Sequence, residues 1–312
     1  MSFALRPVTR ADLPRVAAYL TARSPGEPGD RLERRLEWRL FENPAARPQV
    51  DAGHLLEGSR GEVAGISLAV PQRFTDGARE RLGLCSSAMY VDEGARLQGF
   101  LLFRRFLSQP YVDFWFATTC NALSAALWQR GGGRADPESR HELVLPLHRL
   151  LGLVRRSSVT LAPTSDWDRL AALAARQQPN RLLARRDAGY LAWRYGGGPD
   201  APDRRVWLVR DHAGTEGWAA AGRITRAFAP RRRSWLLLDL IWPHPDLTGI
   251  VVALARALDR DGDLLALRGE HAKAVRTWLP IGLRREFPQS PIWSLPAGVT
   301  PGFVPADGDT AP

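Results

Sequence analysis

The fold of this protein is decided by residues 90–101, which have the sequence YVDEGARLQGFL. The pattern predicts a β-strand over Leu82–Val91 and a helix near Leu97–Leu107. A helix N-terminus with a glycine in its first turn presents unpaired N–H groups and the positive end of the helix dipole. A diphosphate can bind directly to such a backbone, with Gly99 leaving room for it and Arg96 adding charge-assisted hydrogen bonds. The alternative is a helix entry stabilised by ordinary packing, because many strand-to-helix turns contain a glycine and an arginine.

Strands and helices are predicted on both sides of this loop, in an order that is typical of an α/β protein with a mixed sheet. In the first part of the chain we expect strands at Phe3–Val8, His54–Glu57, Glu62–Val70, Leu82–Val91, Val112–Ala117 and His141–Leu145. Thr9 and Asp12 form a capping-box-like start of the first helix. In the second part we expect a helix capped by Thr164 and Ser165, a helix at Asp187–Tyr195, and strands at Arg205–Val209, Trp218–Ile224, Ser234–Trp242 and Leu264–Leu267.

The second part of the chain repeats the first in a constant register. At an offset of 155, Thr9 matches Thr164 and the pair Trp38-Arg39 matches Trp193-Arg194. At an offset of 150, three further matches are Gly99 with Gly249, Asp113 with Asp263, and Gly132 with Gly282. We therefore predict two tandem domains, residues 1–150 and 157–297, followed by a disordered tail at 298–312 that is rich in Pro, Gly and Asp. The alternative is two unrelated α/β domains that share a few aromatic and glycine positions.

Composition excludes several classes of protein. The chain has 312 residues, 45% hydrophobic and 24% charged, which is typical of a globular protein. No apolar run reaches the roughly 20 residues that a membrane span needs. The N-terminus has neither a long apolar core nor a small-residue cleavage site, so we expect no secretory signal. Two cysteines, Cys85 and Cys120, provide neither a disulfide framework nor a metal-ligand spacing, so we expect a cytoplasmic protein without a metal. The net charge of +10, almost all of it arginine, is compatible with evenly solvated arginines or with an anionic partner.

The loop and its flanks resemble the GNAT (N-acetyltransferase) family. The donor loop of that family follows a strand ending in Val and has the pattern Arg/Gln-x-x-Gly-x-Gly/Ala; here Val91 is followed by Arg96, Gly99 and, in place of the last small residue, Leu101. Downstream the family has Asn-x-x-Ala-x-x-Leu-Tyr, then a basic residue and a glycine. The residues at these steps are Asn121, Ser124, Leu127, Trp128, Arg130 and Gly132. The resemblance covers residues 3–135, and the second domain resembles a degenerate GNAT domain by repetition only.

The resemblance implies an N-acyltransferase that moves an acyl group, acetyl in the simplest case, from acyl-CoA to a small-molecule or peptide amine. The acyl-CoA would lie between the strand ending at Val91 and the strand ending near Ala117. The implied cofactor-binding residues are Tyr90, Val91, Arg96, Leu97, Gln98, Gly99, Phe100, Leu101 and Asn121. At the matching loop of the second domain the sequence has Asp246, Thr248 and Gly249, which predicts that each chain binds one acyl-CoA and binds it in the first domain.

The catalytic groups of the family are not matched. Its frequent tyrosine proton donor is replaced by Trp128, and the central strand has no carboxylate; Asp92 and Glu93, just beyond it, are the remaining weak candidates for a base. Cys85 is a candidate nucleophile by its chemistry, although a single cysteine in a strand is far more often a small core residue. Three alternatives stay open: an aminoacyl-tRNA-dependent transferase, a transferase that uses an acidic acyl-carrier protein, and a non-catalytic acyl-CoA sensor. Nucleic acid and membrane are not expected partners.

Overall fold

The computed structural model describes residues 3–23, 28–120, 122–136, 141–153, 157–176, 182–224, 231–245, 247–275, 282–286 and 290–295. The strands are β1 Phe3–Pro7, β2 Gly53–Gly58, β3 Val63–Thr75, β4 Glu80–Val91, β5 Phe114–Cys120, β6 Arg134–Ala135, β7 His141–Pro146, β8 Val159–Pro163, β9 Leu183–Ala184, β10 Arg204–Asp211, β11 Glu216–Ile224, β12 Ser234–Ile241, β13 Leu264–Arg268, β14 Leu283–Glu286 and β15 Ser290–Trp293. The helices are α1 Leu13–Arg23, α2 Gly29–Leu40, α3 Arg96–Leu107, α4 Ala122–Arg130, α5 Leu147–Leu153, α6 Trp167–Ala175, α7 Ala188–Leu191, α8 Thr248–Leu258 and α9 Gly269–Val275. A π-helical turn, Ala192–Gly196, continues α7.

Two mixed sheets organise the chain, as the predicted α/β class requires. The first has the order β1-β2-β3-β4-β5-β15-β6, with β9 added beside the end of β3. The second has the order β8-β10-β11-β12-β13-β7-β14, which is the same arrangement position by position. In each sheet one parallel pair, β4–β5 or β12–β13, interrupts an otherwise antiparallel ladder. We call the first sheet with helices α1–α4 the first half, and the second sheet with α5–α9 the second half.

The two sheets also agree in local detail. The parallel pair is three residues long in both, Gly83–Cys85 with Phe114–Phe116 and Ser234–Leu236 with Leu264–Ala266. A β-bulge follows in both, between Ala88 and Ser86 on β4 and between Asp239 and Leu237 on β12. The two aspartates that match at an offset of 150 also make equivalent hydrogen bonds. The carboxylate of Asp113 accepts the N–H of Leu82, and the carboxylate of Asp263 accepts the N–H of Arg233. The predicted shared topology is therefore confirmed.

Two strands, β7 and β15, do not lie in the sheet that their position along the chain would suggest. The strand predicted at His141–Leu145 forms, as β7, but it pairs with β13 and β14 of the second sheet. In return β15, near the end of the described chain, pairs with β5 and β6 of the first sheet. Residues 141–146 thus complete the second sheet, and residues 290–293 complete the first. The division at residue 150 is defined by chain position and stays a prediction, and the tail 298–312 lies outside the described residues.

The starts of two equivalent helices differ from each other. Asp12 and Thr9 form the predicted capping box, with Asp12 Oδ2 accepting the N–H of Thr9 at 2.9 Å and its hydroxyl at 2.7 Å. The predicted cap at Thr164 and Ser165 is wrong: α6 is capped by Asp166, whose carboxylate accepts the N–H of Arg169 at 3.1 Å. A carboxylate at this position reaches the third N–H of the helix, which leaves the hydroxyl of Thr164 to accept the N–H of Asp166.

Candidate functional site

The strands β4 and β5 separate after Cys85, and this strand split is the centre of the candidate site. Among the described residues the two strands pair only from Gly83 to Cys85, while β15 pairs with the opposite edge of β5. Residues 86–91 of β4 are half-buried or exposed, whereas residues 81–85 are buried. Backbone N–H and C=O groups on a free strand edge can pair with an incoming extended ligand. The strand split therefore offers a backbone edge to an extended molecule that carries amide groups.

The loop at the open end of the strand split has the predicted strand-to-helix geometry. The N–H of Asp92 bonds to Ala64 O at 2.8 Å, and a 3₁₀ turn at Glu93–Ala95 leads into α3. The first residue of α3 is Arg96, and no side chain caps this helix. The Arg96 side chain is 73% exposed and lies 3.5 Å from the carboxylate of Glu93. An uncapped helix N-terminus beside an exposed arginine is suited to bind phosphate.

Gly99 has a packing role in this loop. A Cβ at Gly99 would lie 3.1 Å from Cγ2 of Val91, so the absence of a side chain allows α3 to lie close to the end of β4. Of the remaining predicted loop residues, Gln98 is half-buried, and the others form an exposed rim of large apolar side chains, which are Tyr90, Leu97, Phe100 and Leu101. The predicted donor contact at Asn121 lies outside the described residues. The structure thus brings residues 90–101 together at one end of the strand split.

The two weak candidates for a base have different surroundings. Asp92 accepts the hydroxyl of Tyr19 at 2.9 Å and forms an ion pair with Arg23, whose guanidinium lies 3.4 Å above the Tyr19 ring. Burial and the hydrogen bond to Asp92 raise the pKa of Tyr19. Glu93 is exposed to solvent beside Arg96. Asp92 therefore joins α1 to the loop, and neither carboxylate lies within the strand split.

The aromatic residue at the position of the family's proton donor is buried. Trp128 is 3% exposed, and its ring lies 4.9–5.4 Å from the rings of Phe103, Phe106 and Trp115. The nearby Cys120 at the end of β5 is also buried, and burial raises the pKa of its thiol to about 12. A buried indole and an un-ionised thiol do not exchange protons near neutral pH. The described part of this region therefore supplies packing and no acid or base.

The strand that corresponds to β4 in the second half is buried along its whole length. This strand is β12, and Asp239, next to its bulge, binds the guanidinium of Arg186 through two bonds of 2.8 and 2.9 Å. The hydroxyl of Tyr195 also donates to Asp239, at 3.2 Å. At the start of α8, the hydroxyl of Ser157 donates to Gly249 O at 2.8 Å, and a Cβ at Gly249 would lie 2.2 Å from the hydroxyl oxygen of Ser158. The edge of β12 beyond the parallel pair is therefore buried, whereas the corresponding edge of β4 is half-buried or exposed.

A second cavity lies between the halves, and we call it the inter-half cleft. Its enclosed volume is about 20 Å³, which is room for little more than one water molecule. It is lined by Trp38, Arg39, Val70, Pro71, Gln72, Cys85, Tyr190, Trp193 and Arg194. The rings of Trp38 and Trp193 stack with centroids 4.6 Å apart, and each indole N–H donates to the backbone oxygen of the other residue, at 3.2 and 3.1 Å. The match of Trp38-Arg39 with Trp193-Arg194 at an offset of 155 marked these positions in the sequence, but it did not indicate that the two tryptophans are in contact.

The described residues contain no group of three or more His, Cys, Asp or Glu side chains that could hold a metal ion. Among the helices that the structure describes, none combines the length and the apolar composition of a membrane crossing.

Solved structures share this fold at low sequence identity. A GCN5-related N-acetyltransferase from Anabaena variabilis has a TM-score of 0.64 and 12% identity, over 94% of this chain and 72% of that one. A protein from Enterococcus faecalis, described as a probable N-acyltransferase, has a TM-score of 0.63 and 8% identity over the same shares. N-myristoyltransferase from Saccharomyces cerevisiae, solved with bound myristoyl-CoA, has a TM-score of 0.59 and 11% identity, over 94% of this chain and 82% of that one. No family model and no curated protein match the sequence.

Together, the order of strands, the strand split and these likenesses define the fold of the chain. The chain has the GNAT N-acyltransferase fold, and has it twice in tandem.

Proposed function

We propose that this protein is an N-acyltransferase that moves an acyl group from acyl-CoA to an amine. The observation that carries the proposal is the open strand split, which ends at an uncapped helix N-terminus with an exposed arginine. Acyl-CoA has the matching chemistry: a diphosphate for the start of α3, a chain of amides for the free edge of β4, and a thioester at the far end. A likeness in fold alone would not place this ligand, because folds are shared by unrelated functions.

The donor would bind once per chain, in the first half. We assign the diphosphate to the backbone N–H groups of residues 97–99 and to the side chain of Arg96, whose own N–H donates to Glu93 O, and the amide arm to the edge of β4 from Val91 towards Cys85. The exposed rim of Tyr90, Leu97, Phe100 and Leu101 would contact the nucleotide end. In the second half the residue at the position of Ala88 is Asp239, which is bonded to Arg186, and Ser158 lies against the glycine that matches Gly99; both differences support a single donor site.

The reaction would be a direct attack of the amine nitrogen on the thioester carbon, with the CoA thiolate as the leaving group and a proton passing from the amine to solvent or to that thiolate. We assign no side chain as base, because Asp92 is engaged by Tyr19 and Arg23. An amine with a low pKa, neutral at the working pH, would need no strong base. The acyl group would be acetyl in the simplest case, and the acceptor a small molecule or a peptide.

Two measurements test the proposal. Calorimetric titration of the purified chain with acetyl-CoA and with a longer acyl-CoA should give one site per chain. Incubation with acyl-CoA and a panel of amines should release free thiol faster than either component alone. A stoichiometry of two, or the absence of binding, contradicts the assignment of the donor site.

Cys85 provides a test of direct attack. Cys85→Ala should retain activity within about tenfold, because it removes a small buried group and no covalent intermediate. The measurement is steady-state thiol release, with mass spectrometry of the protein during turnover. An acylated Cys85 would show that the reaction proceeds through an acyl-enzyme instead.

The buried Trp128 favours a second candidate, an acyl-CoA-binding sensor without turnover, because an indole packed among three aromatic rings cannot protonate a leaving thiolate. The two candidates differ in one result. A sensor binds acyl-CoA with unit stoichiometry and releases no thiol with any amine in the panel.

A further inference from the structure

The outer face of α3 carries a stripe of exposed apolar side chains. Leu97 is 85% exposed, Phe100 64% and Leu101 50%. Residues three and four apart are neighbours on a helix surface, so these three side chains form one group, which we call the α3 stripe. Half of the six large apolar side chains that are exposed in the described part of the chain belong to it. Apolar residues grouped in this way, unlike single exposed ones, indicate a contact with another molecule.

The same face of the equivalent helix is buried in the second half. At an offset of 150, the residues of the α3 stripe match Leu247, Ile250 and Val251, which are at most 7% exposed. These residues belong to the same apolar cluster as Leu147 and Leu150 of α5, a helix that packs against α8. The fold therefore covers this helix face in the second half, and in the first half the face is open to a partner.

The charge of α3 indicates the chemistry of that partner. The helix contains three arginines, Arg96, Arg104 and Arg105, and no acidic residue. Arg104 is exposed and forms no ion pair within the described part of the chain, whereas its match in α8 is the buried Leu254. Arg96 and Arg104 lie about 12 Å apart along the helix axis, one at each end of the α3 stripe. An apolar centre between cationic ends is complementary to an acidic surface with an apolar centre.

The α3 stripe begins where the phosphate of the donor is assigned, and this step and the inference that follows rest on the proposed function. CoA and acyl-carrier proteins hold the acyl group on the same phosphopantetheine arm. In CoA the phosphate of the arm continues into a nucleotide, and in a carrier protein it is bonded to a serine of a folded domain. With the arm along β4 and its phosphate at residues 97–99, the carrier's surface would lie against the outer face of α3.

We propose that the outer face of α3 is a docking surface for an acidic acyl-carrier protein, which delivers its acyl group to the strand split. Leu97, Phe100 and Leu101 would be buried against the carrier, in the place that the nucleotide of CoA takes, and Arg104 would pair with a carboxylate of the carrier. The amine nitrogen of the acceptor would form the bond to the thioester carbon as the carbon–sulfur bond breaks. A proton of the amine would pass to the thiolate or to solvent, and the carrier would leave with a free thiol.

The test compares two donors that share the arm and differ in the protein. The probes are acetyl-phosphopantetheine and a strongly acidic acyl-carrier protein loaded with the same acetyl-phosphopantetheine. In calorimetric titration, the loaded carrier should bind at least about tenfold more tightly, because the α3 stripe and Arg104 contribute only when the carrier is present. The carrier without its arm should bind to the same face more weakly. Equal Kd values for the two loaded probes would overturn the inference.

Two charge reversals provide the matched control. Arg104→Glu should weaken binding of the loaded carrier about tenfold or more and leave the Kd for acetyl-CoA unchanged, since Arg104 is not part of the assigned phosphate site. Arg104→Lys retains the charge and should weaken carrier binding by about threefold or less. Arg260→Glu makes the same charge change at an exposed position of the second half and should affect neither donor. Equal losses in Arg104→Glu and Arg260→Glu would show only a general attraction to the basic chain and would contradict the inference.

Two further measurements distinguish this inference from its rivals. If acetyl-CoA binds at one site per chain but the carrier gives no gain over acetyl-phosphopantetheine, the inference fails and the proposed function stands. If the carrier binds through Arg104 but acetyl-CoA does not bind, the docking surface stands and the assignment of acyl-CoA fails. Sedimentation with vesicles of phosphatidylglycerol and phosphatidylcholine tests a different partner. Vesicle binding that is lost in Arg104→Glu, without a gain from the carrier, would identify a membrane as the partner and overturn the inference.

Discussion

The two halves of this protein have the same order of strands, the same three-residue parallel pair and the same bulge, and they differ in what lies beside that bulge. In the first half the position is Ala88, on a half-buried strand edge. In the second half it is Asp239, fully buried and bonded to Arg186 and Tyr195. The comparison shows that the fold creates a split in each sheet, and that side chains decide whether the split can receive a ligand.

The segment that carries Arg186 also connects the two halves. Arg186 follows β9, whose residues Leu183 and Ala184 pair with Thr75 and Phe74 at the end of β3 in the first sheet. The same segment continues into Asp187, which forms an ion pair with Arg73 at 2.7 Å. A short segment thus pairs with the first sheet through its backbone and with the second through Arg186. The second half has an internal structural contact where the first half has an open edge.

The largest effect that we expect is on donor binding in the first half. Gly99→Glu should weaken acyl-CoA binding at least hundredfold, because its Cβ would meet Val91 at 3.1 Å and its carboxylate would repel the diphosphate. Calorimetric titration measures the loss, and circular dichroism verifies the fold.

Two control variants restrict the interpretation of this result. Gly29→Glu places the same side chain in the first turn of α2, where a Cβ meets nothing within 4 Å, and it should bind acyl-CoA normally. Gly249→Ala, whose Cβ would lie 2.2 Å from the Ser158 hydroxyl, should destabilise the second half and leave the Kd unchanged. If Gly249→Ala lost acyl-CoA binding and Gly99→Glu kept it, the donor site would lie in the second half and the assignment to the first would be wrong.

The next effect is on stability and belongs to the second half. Asp239→Ala should lower the free energy of unfolding by about 3–5 kcal/mol, because it leaves the buried guanidinium of Arg186 without its carboxylate. Chemical denaturation measures the change, and acyl-CoA affinity should persist in the folded fraction. The double variant Arg186→Leu with Asp239→Leu should recover most of the loss, since an apolar pair has no unpaired charge. A loss below about 1 kcal/mol in Asp239→Ala would show that this ion pair is not needed for the stability of the second half.

The smallest effect that we expect is a change in stability at the starts of the equivalent helices α1 and α6. The hydrogen bonds from Arg6, with further contributions from Thr9, hold the pKa of Asp12 well below its usual range. A carboxyl whose pKa is lowered in the folded state stabilises that state above the unfolded pKa of about 4, and the stabilisation is lost as the pH falls further. Asp12→Asn should therefore cost about 2 kcal/mol at pH 7, and the difference from the wild type should shrink below about pH 4.

The matched variant in the second half is Asp166→Asn, at an exposed cap with no such arginine pair. Asparagine caps a helix nearly as well as aspartate, so the cost should be below about 0.5 kcal/mol at every pH. Thermal unfolding from pH 3 to pH 7 measures both variants. Equal costs at pH 7 would mean that Arg6 adds nothing to the first cap.

The sequence by itself determined the features that depend on neighbours along the chain. Periodic apolar residues predicted the strands and helices of both halves, Thr9 and Asp12 predicted a capping box, and the constant offsets predicted a shared topology. The loop at residues 90–101 was predicted as a strand-to-helix turn, because its glycine and its arginine lie within one turn of the helix start. These features depend on local geometry, which short stretches of sequence encode.

Tertiary structure alone decided which sheet each last strand joins, what lies beside each bulge and how the repeats meet. The apolar pattern of β7 would suit either sheet. Its pairing with β13 therefore depends on a choice between two similar strand edges that lie far apart in sequence. Arg186 and Asp239 are 53 residues apart, and no local pattern relates them. The pair Trp38 and Trp193 was visible as a repeat, but only the packing of the halves brings the two rings together over 155 residues of chain. Long-range contacts of this kind depend on three-dimensional complementarity, which the spacing of residues along the chain does not record.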